Sequence, residues 1–166
     1  ALWFWPTFDE TPSSILVRCY GEPVSVAPGS PEFAEITRLV NEQLSGDKQW
    51  QEPTISVQTY QDYQTDPKMV VLELVYPSPV DVHTGTAMFM DLDTLLTPLV
   101  GRFASEDIFL GANNRTFTGG RVHVQDLPEE LRSVAAVERT PPREALEQYR
   151  AEREQVGAPV DLALPD

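Results

Sequence analysis

The clearest periodic pattern in the chain lies just after Ser30 and predicts an amphipathic helix over residues 31–45. Ser30 can cap the first free amide groups, and Pro31 suits the first helical position because that position needs no donor. Gly46 supplies a stop signal. Five apolar side chains recur at helical spacing on one face: Phe33, Ile36, Leu39, Val40 and Leu44.

Runs of β-branched and apolar residues predict strands around that helix. Residues 15–20 are β-rich and end at Gly21, as expected of a short strand. Residues 54–62 alternate, with Ile55, Val57 and Thr59 on one side, which is the period of a half-buried strand. Residues 69–76 form a nearly continuous apolar run and predict a central strand. We expect the last two strands to form a hairpin with the helix packed on its apolar face.

The second half of the chain carries weaker signals. Residues 86–91 predict a strand, whereas residues 94–100 fit either a short helix capped by Asp93 or an irregular strand interrupted at Pro98. Turn sequences rich in Gly and Asn separate three further short strands, at residues 107–110, 115–117 and 122–124.

The C-terminal residues predict helices. Asp126 and Glu129 resemble a capping box that opens a short helix, and a charged helix follows over residues 140–156. The charged helix has a thin apolar stripe that includes Leu146 and Tyr149, and such a face either lies on the domain or meets a partner.

Together these elements predict an α+β fold, a mostly antiparallel sheet packed by one main amphipathic helix (31–45), with helical C-terminal additions. We divide the chain into an N-terminal apolar and linker segment (1–13), a single α+β domain (14–138), and a charged C-terminal helix and tail (139–166).

The composition is strongly acidic. Of the 166 residues, 26 are Asp or Glu and 12 are Lys or Arg, a formal net charge of −14. This charge opposes binding to nucleic acid or to an anionic membrane, because both attract cationic surfaces. Residues 51–100 hold seven carboxylates and one cation, Lys68. The negative charge of this segment either attracts cations or a basic partner, or it serves solubility. The single cysteine, Cys19, excludes an internal disulfide and predicts a buried apolar residue.

The first five residues form a dense apolar and aromatic run, Ala1-Leu-Trp-Phe-Trp5. The run is too short to cross a bilayer, but tryptophan is enriched at the membrane interface, so it resembles the outer end of a span. On that interpretation an anchor missing from this chain precedes Ala1, residues 6–14 serve as a linker, and the domain is extracytoplasmic. The alternative is an edge strand in which Trp3, Phe4 and Trp5 pack on the domain.

Two histidines and three aspartates are the candidates for a metal or acid–base site. Imidazole together with carboxylate can bind a divalent ion, and a carboxylate can orient a histidine for proton transfer. The competing interpretation places the histidines on separate elements and makes one aspartate a helix cap. The candidate residues are Asp81, His83, Asp91, Asp93 and His123.

Glu73 is the anomaly of the central strand, because a carboxylate buried without a partner is costly. Either its face of the sheet is open to solvent or it meets an arginine; antiparallel sheets commonly leave one face wet, which favours the first. An open, partly apolar face would be a docking surface. The candidate partner-binding residues are Met69, Val71, Glu73 and Val75, with Leu146 and Tyr149 of the C-terminal helix.

These observations favour a non-enzymatic domain of a membrane-anchored protein, acting outside the cytoplasm in binding, regulation or assembly. Its expected partner is a protein, and no cofactor, catalytic residue or nucleic acid is expected. Two alternatives remain open. One is a soluble, metal-dependent hydrolase that uses His83, His123 and at least one of the aspartates. The other is a small-molecule or cation-binding module of the acidic middle, and either of them would fit a cytoplasmic protein.

Overall fold

Seven strands and two helices make up the described part of the chain. The computed structural model describes residues 7–45, 48–51, 56–101, 104, 108–114, 116–124, 134 and 151. The elements in chain order are β1 (Ser14–Cys19), β2 (Glu22–Val26), α1 (Pro31–Ser45), β3 (Lys48–Gln51), α2 (Val57–Thr65), β4 (Val70–His83), β5 (Met88–Val100), β6 (Ile108–Asn113) and β7 (Thr116–Val124).

The seven strands join one antiparallel sheet in the order β2-β1-β4-β5-β6-β7-β3. β1 and β2 are connected by a two-residue turn, Tyr20 and Gly21, and both residues have positive φ. Positive φ at both central positions is the property of type I′ turns, whose twist matches that of the strands. The sheet confirms the predicted α+β class and its mostly antiparallel character.

The main helix has the predicted bounds, Pro31–Ser45. The Ser30 hydroxyl accepts a hydrogen bond from the Phe33 amide at 3.2 Å, as a cap does. Each aliphatic side chain that α1 buries against the sheet contributes about 1.5–3 kcal/mol. The five residues of the predicted apolar face are all buried, in one cluster with β1 and β4: Phe33, Ile36, Leu39, Val40 and Leu44.

The strand predicted over residues 54–62 is wrong, because most of that segment is helix α2 (Val57–Thr65). The Ser56 hydroxyl accepts from the Thr59 amide at 3.1 Å and caps the helix. Val57, which the alternating pattern placed on a buried face, is 44% exposed, whereas Tyr60 and Tyr63 are buried one turn apart. The hairpin predicted for this segment is therefore also wrong. β4 pairs instead with β1 and β5.

Helix α2 covers the opposite face of the sheet from α1. Tyr60 and Tyr63 form a second buried cluster with sheet residues that include Met69 and Val71. The Tyr60 ring stacks on Phe117 of β7 at a centroid distance of 5.3 Å. The sheet is thus a middle layer between two helices, so the expected open, wet face is wrong.

The second half of the chain forms longer strands than the sequence predicts. Residues 88–91 of the first predicted segment and residues 94–100 belong to one strand, β5, in which Pro98 lies opposite Val71 at a register shift. This result decides between the two alternatives for residues 94–100 in favour of the irregular strand, and Asp93 lies within that strand and does not cap a helix. Two of the predicted short strands and the turn between them are likewise one strand, β7.

The N-terminal segment is attached to the domain from Phe8 onward. The Phe8 amide donates to the Ser45 hydroxyl, and that hydroxyl donates to the Phe8 carbonyl, both at 2.9 Å. The Phe8 ring is buried edge-on against Tyr76 at a centroid distance of 6.0 Å. The aromatic run of residues 1–5 lies outside the described residues. None of the described helices has the length and apolar character to cross a membrane.

The helices predicted for the C-terminal part lie outside the described residues, apart from the single positions Val134 and Ala151. Leu146 and Tyr149 therefore remain candidates from the sequence alone.

Candidate functional site

β4 and β5 extend beyond the strands on either side of them. β1 pairs with β4 along residues 70–75, and β6 pairs with β5 along residues 94–96. Residues 77–93 continue past both neighbours as a two-stranded ribbon, which we call the hairpin arm. The register within the arm pairs Val80 with Leu92, Val82 with Phe89, and His83 with Met88.

The tip of the hairpin arm is a turn closed by one threonine. The Thr84 amide and hydroxyl both donate to the Ala87 carbonyl, at 2.7 and 2.8 Å. The same hydroxyl accepts from the Ala87 amide at 2.9 Å. These short-range hydrogen bonds give the tip a defined conformation and hold the two strands in register.

The two faces of the hairpin arm differ in burial. The inner face continues the alternation of β4 and packs into the main core through Val80, Val82 and Leu92. The outer face holds Met88, which is 47% exposed, and Met90, which is 54% exposed. Large apolar side chains this exposed are informative when they lie together, because an exposed apolar patch marks interaction surfaces.

A β-bulge at Asp91 joins the arm to the rest of the sheet. Asp91 has a φ of 57°, and the β4–β5 register shifts between Val80 and Val82. The Asp91 amide donates to the Asp81 carboxylate at 3.0 Å, and the Asn113 side-chain amide donates to the Asp91 carbonyl. The bulge is therefore held from both sides and orients the arm.

Asp93 connects the base of the arm to the turn between β6 and β7. Its carboxylate accepts from the Asn114 amide at 2.8 Å and from the Thr94 hydroxyl at 3.0 Å. Asn114 itself has a φ of 50° in the turn between β6 and β7, a conformation that asparagine tolerates well. Asp81 and Asp93 thus each accept a hydrogen bond from a backbone amide at the base of the arm.

The predicted metal constellation is not brought together among the described residues. Three candidates, Asp81, Asp91 and Asp93, do gather at the base of the arm. His83 lies farther out in the arm, opposite Met88, whereas His123 lies on β7, opposite Ile108 of β6 and Gln49 of β3. No group of three or more His, Cys, Asp or Glu side chains within the described ranges has the geometry of a metal shell.

The predicted partner-binding residues on β4 lie under α2. Met69 and Val71 are buried in the second cluster, and Val75 is half-buried. The Glu73 side chain is 8% exposed and accepts from Arg18 Nε at 2.7 Å and from Gln64 Nε2 at 3.2 Å. The alternative in which Glu73 meets an arginine is thus the observed one. Helix α2 thus covers Met69, Val71 and Glu73 in the described structure.

The buried ion pair lies close to a buried tyrosine. Burial raises the pKa of the Tyr60 hydroxyl, and the negative charges of Glu73 and Asp93 raise it further. The Tyr60 hydroxyl has no hydrogen-bond partner within the described structure. Helix α2 packs the Tyr60 phenol against the sheet near the Glu73 carboxylate, which fits a packing role for this side chain.

Cys19 is buried, in agreement with its predicted apolar role. Sequence reasoning missed the exposed pair Met88 and Met90. The sequence did hold one signal. Met88 and Met90 occupy alternate positions of β5, while Val80 and Val82 of the paired strand β4 already supply the core-facing side of the arm. Apolar residues on both faces of one ribbon indicate either full burial or a contact surface.

A groove beside α1 is a further candidate site. It has a volume of about 600 Å³ and lies between the helix and the N-terminal segment. Its lining includes Asp9, Phe33, Arg38 and Asn41. Arg38 is engaged on the helix surface by Glu35 at 2.7 Å, and the buried Asn41 Oδ1 has no hydrogen-bond partner in the described part of the chain.

Comparison of the chain with protein-family models, with curated proteins and with solved structures finds no match.

Proposed function

We propose that this chain is a non-enzymatic protein-binding domain that contacts its partner through the outer face of the hairpin arm. The observation that carries the proposal is the exposure of Met88 and Met90 on a ribbon whose other face is fixed in the core. Exposed methionines are favoured at binding surfaces because their flexible, polarisable side chains adapt to irregular apolar partners. The third methionine of the chain, Met69, is 2% exposed and serves the core.

The polar side chains at the base of the arm support a binding role over a catalytic one. Asp81 and Asp93 accept hydrogen bonds from backbone amides and so hold the arm in place. A contact surface gains from such rigidity, because less conformational entropy is lost when a preorganised surface binds.

Site-specific photo-crosslinking in the source cells tests this function. A photo-crosslinking amino acid in place of Met88 is expected to give a protein adduct of defined mass, identified by mass spectrometry. The matched control carries the same amino acid in place of Val57, which is 44% exposed on α2, and is expected to give no such adduct. Absence of an adduct at position 88, or equal adducts at both positions, would overturn the proposed contact surface.

We also propose that the domain acts outside the cytoplasm, attached to a membrane. The support is the aromatic run of residues 1–5 in the sequence, because such residues are enriched at membrane interfaces. Phe8 is already packed in the core, so an anchor ending near residue 6 would hold the domain close to the bilayer. Fusion of a reporter that is active only after export tests this location, and an inactive reporter on an intact fusion protein would exclude it.

Small-molecule binding is a second candidate function, and the groove beside α1 favours it. Its volume of about 600 Å³ lies within the range of ligand pockets, and Asn41 Oδ1 offers a buried acceptor. Fragments that carry an N–H donor are expected to shift the amide resonances of residues 33–41 by NMR, and to do so less in Asn41→Ala. A fragment library that leaves these resonances unchanged would remove this candidate.

A further inference from the structure

The outer face of the hairpin arm combines an apolar centre with an acidic surround. Asp81 and Asp91 are both exposed, and they flank Met88 and Met90 on the arm. The segment from Val70 to Val100, which includes both strands of the hairpin, contains no lysine or arginine. Helix α2, which covers the same side of the sheet, contains none either. The negative charge around the methionines therefore has no local cation from either element to offset it.

We propose that the outer face of the arm binds a basic protein segment that carries apolar side chains. This inference rests on the proposed function and names the chemistry of the partner. The apolar side chains of the segment would cover Met88 and Met90, while lysine or arginine beside them would face Asp81 and Asp91. Charge complementarity of this kind raises the association rate and selects among partners that offer equal apolar surface.

A second copy of the chain does not meet these requirements. The same face on another copy carries the same aspartates, and a two-fold contact would bring like charges together. Each copy also has a formal net charge of −14, so the whole molecules repel one another. An anionic membrane surface is excluded as an occupant for the same electrostatic reason.

Binding of model peptides to the full chain tests the inference. The probe is a labelled peptide of lysine and leucine at amphipathic spacing, measured by fluorescence anisotropy. One comparison peptide replaces each lysine with glutamate and keeps the leucines, and another keeps the lysines and replaces each leucine with serine. We expect the lysine–leucine peptide to bind at least about tenfold more tightly than either comparison peptide, and to weaken as salt screens the aspartates.

Variants of the chain distinguish binding of the peptide at the arm from general electrostatic attraction of a basic peptide to an acidic protein. Met88→Ser with Met90→Ser is expected to remove most of the affinity, whereas the control Val57→Ser leaves it unchanged. Asp91→Asn removes one charge from the arm and retains a residue type suited to positive φ, and it is expected to weaken binding about threefold, as loss of a surface ion pair does. Glu22→Gln removes one charge from the edge strand β2 and is expected to have no effect.

The outcomes distinguish this inference from the proposed function. Equal binding of the lysine and glutamate peptides, or equal effects of Asp91→Asn and Glu22→Gln, would overturn the basic partner. If photo-crosslinking at position 88 still captured a defined protein in that case, the contact surface would stand with a partner of another charge. Peptide binding that survives the double methionine substitution would overturn the arm as the site, whatever its charge dependence.

Discussion

Replacing Arg18 with methionine tests whether the buried Glu73 carboxylate depends on its partner. Arg18 donates to Glu73 through Nε at 2.7 Å and through Nη2 at 3.4 Å, and their side chains are 21% and 8% exposed. Removing one partner of a buried pair typically costs 3–5 kcal/mol, because the remaining charge stays buried. Gln64 still donates to the carboxylate, and the pair is partly exposed on its Arg18 side. We therefore expect a loss of about 2–3 kcal/mol in the free energy of unfolding.

Thermal unfolding converts this loss into a measurable shift. An unfolding entropy of about 2.1 cal/mol/K per residue implies about 3 °C per kcal/mol for a chain of this length. Arg18→Met is thus expected to lower Tm by about 6–9 °C at pH 7. The matched control is Arg38→Met, which removes an arginine from an exposed network with Glu35 and Glu42 and is expected to leave Tm nearly unchanged.

The double variant Arg18→Met with Glu73→Leu tests the reason for the effect. If the single variant is destabilised by an uncompensated charge, removal of that charge restores most of the lost stability, because an apolar pair replaces a buried ion pair at little cost. The double variant is expected to melt above Arg18→Met. A double variant that melts at or below the temperature of Arg18→Met would refute this reasoning. A drop for Arg38→Met equal to that for Arg18→Met would refute it as well.

Three further predictions concern packing, capping and pH. A Cβ at Gly111 would lie 2.6 Å from Leu92 Cδ1, so Gly111→Ala is expected to cost about 1–3 kcal/mol in denaturant unfolding, with partial rescue by Leu92→Ala. Ser56→Ala removes the cap of α2 and is expected to cost about 1 kcal/mol, measured the same way, and an unchanged stability would contradict the capping role. Tyr60→Phe removes a buried hydroxyl without a partner and is expected to keep or raise Tm at pH 7. Because the pKa of Tyr60 is raised in the folded state, its contribution is complete below about pH 10 and declines at higher pH, so Tyr60→Phe is expected to lessen alkaline destabilisation.

Local patterns in the sequence were sufficient to predict α1 with its bounds. Its cap, its proline at the first position and its apolar spacing all lie within sixteen residues and agree with one another. The sequence also predicted the antiparallel α+β class, the strand character of the segment after Met69 and the burial of Cys19. In each case the signal and the structure it specifies are close together in the chain, so no information from distant residues is required.

α2 shows why the local argument fails when two periods compete. Residues 55, 57 and 59 fit an alternating strand, whereas Tyr60 and Tyr63 fit one face of a helix. The tertiary structure decides in favour of the helix, because the second face of the sheet provides a place to bury both aromatic rings and Ser56 caps the first turn. The same covering helix decides the state of Glu73, since a carboxylate on a face covered by a helix must find a partner and Arg18 lies on the adjacent strand.

The hairpin arm depends on tertiary structure in the same way. The sequence alone identified Asp81, Asp91 and Asp93 as a group, but the bulge at Asp91 and the turn after β6 determine that two of these carboxylates bind backbone amides. Met88 and Met90 look like core residues in a β-run, and they are exposed because they lie on the arm, outside the cluster that α2 buries on this face of the sheet. Sequence periodicity determines which side chains share a face of a strand, whereas the packing of a helix on the sheet decides how much of that face is covered.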